Sequence, residues 1–237
     1  MRALVGVGVG PGDPDLITVK AVRALDRADL VLVPVLDAAE TGRAEATVRA
    51  HVAHDRVRRV VFALDPDRHD AAWQAAAGEV TAAFEAGATT VAFATIGDPN
   101  VYSTFTALAA AVRTRLDGSL AVSTIPGITA MQDLAARGDT VLCAGTESLA
   151  LLPLTAGLAA FDRALSGFDT VVAYKGGRHL PAVLNLLRER DRLDDATYGA
   201  SLGLPGEAVR PAADLPPDRP GPYLSTLIVP ARRKARP

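Results

Sequence analysis

Three short segments combine glycine and proline with isolated acids, and each follows a run of β-branched or apolar residues. The first is GVGVGPGDP (6–14). Glycines at a strand-to-helix turn let the backbone come close to a ligand. A dinucleotide reading needs G-x-G-x-x-G. Gly6 and Gly8 fit, but the third glycine position is Pro11, which has no N–H for a pyrophosphate. Asp13 adds negative charge where a phosphate would sit. The second segment is TIGDPNVYSTF (95–105). Gly97 permits close approach, and Asp98 can accept hydrogen bonds from an amine or ribose or attract a cation. The plainer reading is that Asp98-Pro99 starts a helix, with proline at its first position. The third is IPGITA (125–130), where Thr129 serves as a helix cap or a ligand hydroxyl. Two of the three segments carry aspartate rather than lysine or arginine. Such a set suits a cationic or adenosine-type ligand better than a phosphate.

A fourth segment, YKGGRH (174–179), groups Lys175, Arg178 and His179. Clustered cations suit a polycarboxylate, or form a solvated basic turn. Other constellations offer less. His51 and His54 are spaced for one helix face, but a metal needs more ligands, so a surface role is expected. Cys143 has no evident activating partner, and Trp73 reads as packing. HExxH, Walker A and GxSxG are all absent.

The elements that must position these segments follow from pattern. The runs at 3–9, 30–35, 57–62, 89–95 and 120–125 read as strands, several of them apolar on both faces. Helix-like segments at 15–27, 43–51, 69–85 and 101–115 alternate with them, which implies a mostly parallel sheet with helices on both faces. The second half repeats the grammar more loosely. Strands are expected at 149–152, 170–174, 197–202 and 224–229, and helices at 129–137, 158–165 and 180–190. In the last helix Leu180, Val183, Leu184 and Leu187 share a face. Loops at 203–210 and 211–222 favour an antiparallel or mixed sheet. The expected domains are 1–120 and 121–237, with a basic, frayed tail at 231–237.

Composition sets outer limits. The chain has 237 residues, 49% hydrophobic and 22% charged, so a sizeable core is within reach. A net charge of -2 argues against binding nucleic acid by bulk charge. One cysteine excludes an internal disulfide and fits a reducing, cytoplasmic setting. No segment reaches the roughly 20 apolar residues of a membrane span, and the first dozen residues do not read as a signal peptide.

GVGVGPGDPDLIT (6–18) with VKAVRALDRADLVLV (19–33), ATIGDPNVYSTF (94–105) and TIPGITA (124–130) resemble the three loops of the tetrapyrrole methylase superfamily. ESLALLP (147–153), VVAYKGGRHL (171–180) and PYLSTLIVP (222–230) are similar to later blocks of the branch that methylates C20 of precorrin-2. The resemblance implies two α/β domains, a parallel N-terminal sheet, a mixed C-terminal sheet and an active site in the cleft between. It implies a homodimer that transfers a methyl group from S-adenosylmethionine to a tetrapyrrole on the route to cobalamin. Donor contacts carry over onto Pro11, Gly97, Asp98, Val101, Thr129 and Ala130. Tyr174 or Lys175 stands where the family often has methionine, and Ala200, Ser225 and Thr226 match more loosely. Lys175, Arg178, His179 and Arg43 are the expected partners of substrate carboxylates. Tyr102 and Glu147 are the candidates for the base that takes the C20 proton. Open alternatives are the cobalt-containing substrate, another ring carbon, a protein acceptor, a non-catalytic cofactor binder and a nicotinamide-dependent oxidoreductase.

Overall fold

The apolar runs become strands, and the order in which they pair decides which loops are neighbours. The computed structural model describes residues 1–62, 66–116 and 120–233, with the backbone alone at 54 and 66–69. The remaining tail residues, 234–237, and the segment 117–119 within the expected domain junction lie outside the described residues. The chain divides into two units, Met1–Thr129 and Ala130–Pro237.

The first unit runs β1 (Arg2–Gly8), α1 (Val19–Arg27), β2 (Leu30–Val35), α2 (Arg43–Arg49), β3 (Val57–Val61), α3 (Pro66–Glu85), β4 (Thr90–Thr95), α4 (Phe105–Arg115) and β5 (Leu120–Ile125). All five strands are parallel, in the order β3-β2-β4-β1-β5. Alternate residues of each strand serve opposite faces. Leu4, Leu32 and Phe93 pack with Val80 and Phe84 of α3 and Leu108 and Val112 of α4. Trp73 joins this face, its ring 4.5 Å from that of Phe62. Val7, Val33 and Ala94 pack with Leu25 of α1 and Val48 of α2. Burial on both faces is why the inner strands β2, β4 and β1 read as near-continuous apolar runs.

The second unit runs α5 (Ala130–Arg137), β6 (Leu149–Pro153), α6 (Leu158–Gly167), β7 (Thr170–Tyr174), α7 (Leu180–Glu189), β8 (Thr197–Ala200), β9 (Ala208–Pro211) and β10 (Ser225–Val229). Its order is β6-β7-β10-β8-β9, with β6 and β7 parallel and the other pairs antiparallel. The expected stripe Leu180, Val183, Leu184 and Leu187 is buried.

Four expectations need correction. The division falls after Thr129 rather than at 120/121, because β5 pairs with β1 in the first sheet. The helix expected at 15–27 starts at Val19. A tight turn over Pro14–Leu16 precedes it, and Thr18 caps it by accepting the Ala21 N–H at 3.2 Å. The helix expected at 101–115 starts at Phe105, because Tyr102 adopts φ 49° and breaks the helical path. Strand β9 occupies a stretch read as loop.

Local support comes from a residue that spacing did not single out. Glu45 of α2 is fully buried and accepts from Arg49 Nε at 2.6 Å, Arg59 Nε at 2.8 Å and Gly42 N–H at 3.1 Å. Burial alone would raise its pKa, but Arg59, Arg49 and Gly42 outweigh that and hold it below the ordinary 4.5. Glu45→Gln is expected to cost about 2–3 kcal/mol of stability at neutral pH, since it leaves two part-buried guanidinium groups short of their charge partner. Because the folded pKa is depressed, this contribution is present above pH 4.5 and is lost as pH falls through the folded value. Melting curves of the wild type and variant should therefore differ most near neutrality and converge in acid. A gap that persists unchanged in acid would refute the assignment.

Candidate functional site

β4, β1 and β5 lie side by side, so the loops leaving their carboxyl ends are neighbours. Ligands of parallel α/β sheets bind at this edge. The loops are joined through their backbones. Gly97 N–H donates to the Gly10 carbonyl at 2.7 Å, and Val9 N–H to the Thr95 carbonyl at 3.0 Å. Asp98, 9% exposed, accepts from Asn100 N–H at 2.8 Å through Oδ1 and from Gly127 N–H at 3.0 Å through Oδ2. Asn100 Nδ2 reaches Thr124 Oγ1 at 3.2 Å. Asp98-Pro99 therefore does not open a helix. Asp98 holds the second loop to the third.

The glycines divide the work. A side chain at Gly6 would strike the Phe105 ring at 2.5 Å, so this glycine makes room for core packing. At Gly8 it would strike Gly127 N and Gly97 O, each at 2.6 Å. At Gly127 it would land on the Gly97 carbonyl oxygen and lie 2.8 Å from Gly8 C. Gly8, Gly97 and Gly127 thus stack backbone on backbone. Gly10 needs its φ of 84° and the gap to the Leu16 carbonyl. Gly97 is different. Its φ is 69°, and a side chain there would meet only Thr129 Cα at 4.0 Å, so the space above it is open. Pro11 and Thr129 are buried, and Val101 and Ala130 are half-buried. Thr47 supports the first loop by donating to the Gly12 carbonyl at 3.2 Å, and His51 Nε2 does the same to the Pro14 carbonyl at 3.0 Å. Asp13 is engaged locally, accepting from Asp15 N–H at 2.9 Å.

The segments 9–18, 95–104 and 125–129 contain no lysine, arginine or histidine. What they present is backbone, hydroxyls and aspartate. Arg43, the first residue of α2, is half-buried with no polar partner among the described residues. Burial holds its pKa below the usual guanidinium range. A cation at a helix N-terminus also opposes the macrodipole, so nothing among the described residues offsets the burial of this charge.

In the second unit, β register brings several expected residues to one sheet edge. Thr226 pairs with Tyr174, Ser225 with Ala200, and Pro153 with Tyr174. Tyr174 Oη accepts the Met131 N–H of α5 at 2.9 Å. Lys175 and Ser201, directly after β7 and β8, sit at φ 58° and 50°, which costs non-glycine residues roughly 1 kcal/mol or more each. Lys175 Nζ lies 6.0 Å from the Tyr223 ring centre. Arg178 is exposed and donates from Nε to His179 Nε2 at 3.1 Å. The two glycines of the motif are packing devices. Side chains there would hit Leu154 Cδ1 at 2.7 Å from Gly176 and the Gly221 carbonyl at 2.5 Å from Gly177.

The two candidate bases fare differently. Glu147 precedes β6 at the opposite end of this sheet from Tyr174, since Leu149 pairs with Thr170. Its carboxylate accepts from Arg233 Nε at 2.9 Å and Ala144 N–H at 2.8 Å. Those bonds hold its pKa below the ordinary range. Glu147 anchors the chain after β10 and is not brought to the Tyr174 edge. Tyr102 does sit in the second loop, 42% exposed. Desolvation raises its phenol above the usual value, so it keeps its proton at neutral pH and fits a hydrogen-bond donor better than a base.

The profile of the family described as Tetrapyrrole (Corrin/Porphyrin) Methylases matches residues 3–215. A Sinorhizobium protein named Precorrin-2 C(20)-methyltransferase is 35% identical, over 96% of this chain and 94% of its own. A Salmonella typhimurium protein named Cobalt-precorrin-2 C(20)-methyltransferase is 32% identical, over 95% of each. The solved structure of a uroporphyrin-III C-methyltransferase from Thermus thermophilus, complexed with S-adenyl homocysteine, shares the fold. Its TM-score is 0.64 at 21% identity, over 97% of this chain and 92% of that one. Loop architecture, two-sheet fold and relatives agree, and the chain belongs to the tetrapyrrole (corrin/porphyrin) methylases.

Proposed function

We propose that this protein is an S-adenosylmethionine-dependent C-methyltransferase that methylates C20 of precorrin-2, giving precorrin-3A in cobalamin biosynthesis. The observation that carries the reading is the joined trio of cation-free loops at the β4-β1-β5 edge, together with the full-length likeness to C20 methyltransferases. A methyl donor of this kind is a sulfonium, so its pocket needs acceptors and hydroxyls and no fixed positive charge. The open space above Gly97 and the donor-and-acceptor backbone around it meet that need.

Bound S-adenosylmethionine supplies an electrophilic methyl carbon. Pro11, Gly97, Val101 and Thr129 are assigned to hold it, with Asp98 fixing the loop that carries Gly97. In the second unit Ala130, Tyr174, Lys175, Ala200, Ser225 and Thr226 are assigned as donor contacts. The reduced macrocycle is electron-rich at its meso carbon, so the chain mainly has to align the reactants. Lys175, Arg178, His179 and Arg43 are assigned to its carboxylates. Arg178→Ala is expected to raise the KM for the tetrapyrrole about fivefold, roughly 1 kcal/mol, with donor affinity unchanged. Calorimetry with the donor and initial rates with precorrin-2 would check this. Equal loss of both would make Arg178 structural.

The protein is further proposed to act as a cytoplasmic homodimer, as its resemblance to the family implies. Among the described residues no helix is long and apolar enough to cross a membrane. The testing experiment is incubation with methyl-labelled S-adenosylmethionine and enzymatically made precorrin-2, with and without cobalt, read by mass and carbon NMR. One new methyl at C20 supports the reading, and the preferred substrate selects the metal-free or cobalt form. Donor binding without transfer would move the search to another acceptor.

A further inference from the structure

α1 carries three cations along one exposed side: Lys20, Arg23 and Arg27. Their spacing of three and four residues makes them neighbours on the helix, where like charges repel. None has an ion-pair or hydrogen-bond partner among the described residues. The helix's one acid, Asp26, is turned toward Arg56 at 3.3 Å. The macrodipole favours Arg27, in the last turn, but opposes Lys20, in the first. The cost of this arrangement is not relieved inside the fold.

The same three side chains, with Val19, Ala24 and Ile125, line a groove of about 580 Å³. Val19 is 65% exposed although apolar. The groove begins where the first loop ends, at Val19, and touches the third loop at Ile125, the last residue of β5. It therefore lies at the edge of the sheet that carries the glycine loops. An apolar floor under three unneutralised cations matches a ligand with a flat apolar body and several carboxylates on its rim.

We propose that this groove is a carboxylate-binding subsite in which Lys20, Arg23 and Arg27 take peripheral carboxylates of the tetrapyrrole. The inference rests on the reading of the protein as a tetrapyrrole methyltransferase and extends it to residues outside the expected substrate set.

The test uses the whole protein and the variant K20Q/R23Q/R27Q. Glutamine is a good helix former, so α1 keeps its propensity. A charge-matched control, R113Q/R163Q/R219Q, removes three surface cations elsewhere. The first readout is titration with uroporphyrin, a stable octacarboxylate, followed by its absorbance. The groove variant should bind at least tenfold more weakly, and the control within twofold of wild type. S-adenosylmethionine affinity and the melting curve should not move. The second readout is methyl transfer to precorrin-2, where KM should rise at least tenfold with kcat within threefold. Uroporphyrin affinity and KM within twofold of wild type in the groove variant would overturn the subsite, as would an equal loss in the control. If wild type methylates precorrin-2 and only the groove variant's constants fail to move, the subsite fails and the enzymatic reading stands. If wild type transfers no methyl but binds uroporphyrin through these three residues, the subsite stands and the choice of acceptor fails.

Discussion

Asp98→Ala is expected to raise the dissociation constant for S-adenosylmethionine at least tenfold, and to lower stability by about 2–4 kcal/mol. Both effects come from the same two bonds. The carboxylate accepts Asn100 N–H at 2.8 Å and Gly127 N–H at 3.0 Å, and it is nearly buried. Hydrogen bonds to a charged acceptor contribute roughly 1.5–3 kcal/mol each; Asn100 is exposed, so water replaces much of its bond, and the half-buried Gly127 amide supplies most of the loss. Alanine removes the acceptor for both amides and frees the second loop from the third. The space above Gly97 then loses its fixed shape. Asp98→Asn separates shape from charge, because one amide oxygen can still accept one of the two N–H groups. Affinity should therefore fall in the order wild type, asparagine, alanine. Calorimetry with the donor and thermal melts of all three proteins would read this directly. Donor affinity that stays at the wild-type value in a folded Asp98→Ala protein would sink the role given to the second loop.

The part of this design that sequence reveals is the part set by local pattern. Strands β1, β2 and β4 are legible because both sheet faces are buried, which forces near-continuous apolar runs, and the edge strand β5 by its alternation of exposed and less exposed residues. The buried stripe of α7 is legible because helical spacing has few other uses. β9 was not legible. It has four residues, ends in Pro211, lies at a sheet edge and is largely exposed, so neither alternation nor an apolar run marks it. Helix starts were read too early at α1 and α4. Thr18 caps α1 by accepting the Ala21 N–H, and nothing local announces that Tyr102 will take a left-handed conformation.

The site divides in the same way. Glycine, proline and aspartate at strand ends mark three loops that the fold joins to one another, because such residues are needed where backbones meet. Their separate duties depend on partners far along the chain. Asp98 meets an amide 29 residues away, and Glu45 meets Arg59 across 14. Gly6 reads as a ligand-facing glycine until Phe105 is seen to lie over it. Glu147 illustrates the opposite error. It is a carboxylate in a recognisable block, yet Arg233 claims it at the far end of the second sheet.

Gly127→Ala should have the largest effect of any single methyl group in the first unit. The added carbon would fall on the Gly97 carbonyl oxygen and 2.8 Å from Gly8 C. Both obstacles are backbone, and Gly97 is itself tied to Gly10 by a 2.7 Å hydrogen bond, so no rotamer change relieves the overlap. The three loops must part. Overpacking of this kind costs about 1–3 kcal/mol, and here the strain falls on the loops proposed to hold the donor. Methyl transfer to precorrin-2 should lose at least a hundredfold in kcat/KM, about 3 kcal/mol of transition-state stabilisation, because small misplacements are amplified in an alignment-driven reaction. Gly167→Ala is the matched control: no atom lies within 4 Å of its added carbon and its φ is ordinary. That variant should melt at or slightly above the wild-type temperature, since alanine restricts the unfolded chain, and should retain full activity. The pair distinguishes loop packing from a general intolerance of glycine substitution. Wild-type donor affinity and melting in Gly127→Ala would show that close packing of Gly8, Gly97 and Gly127 does not build the site. Loss of stability without loss of affinity would confine their role to the fold.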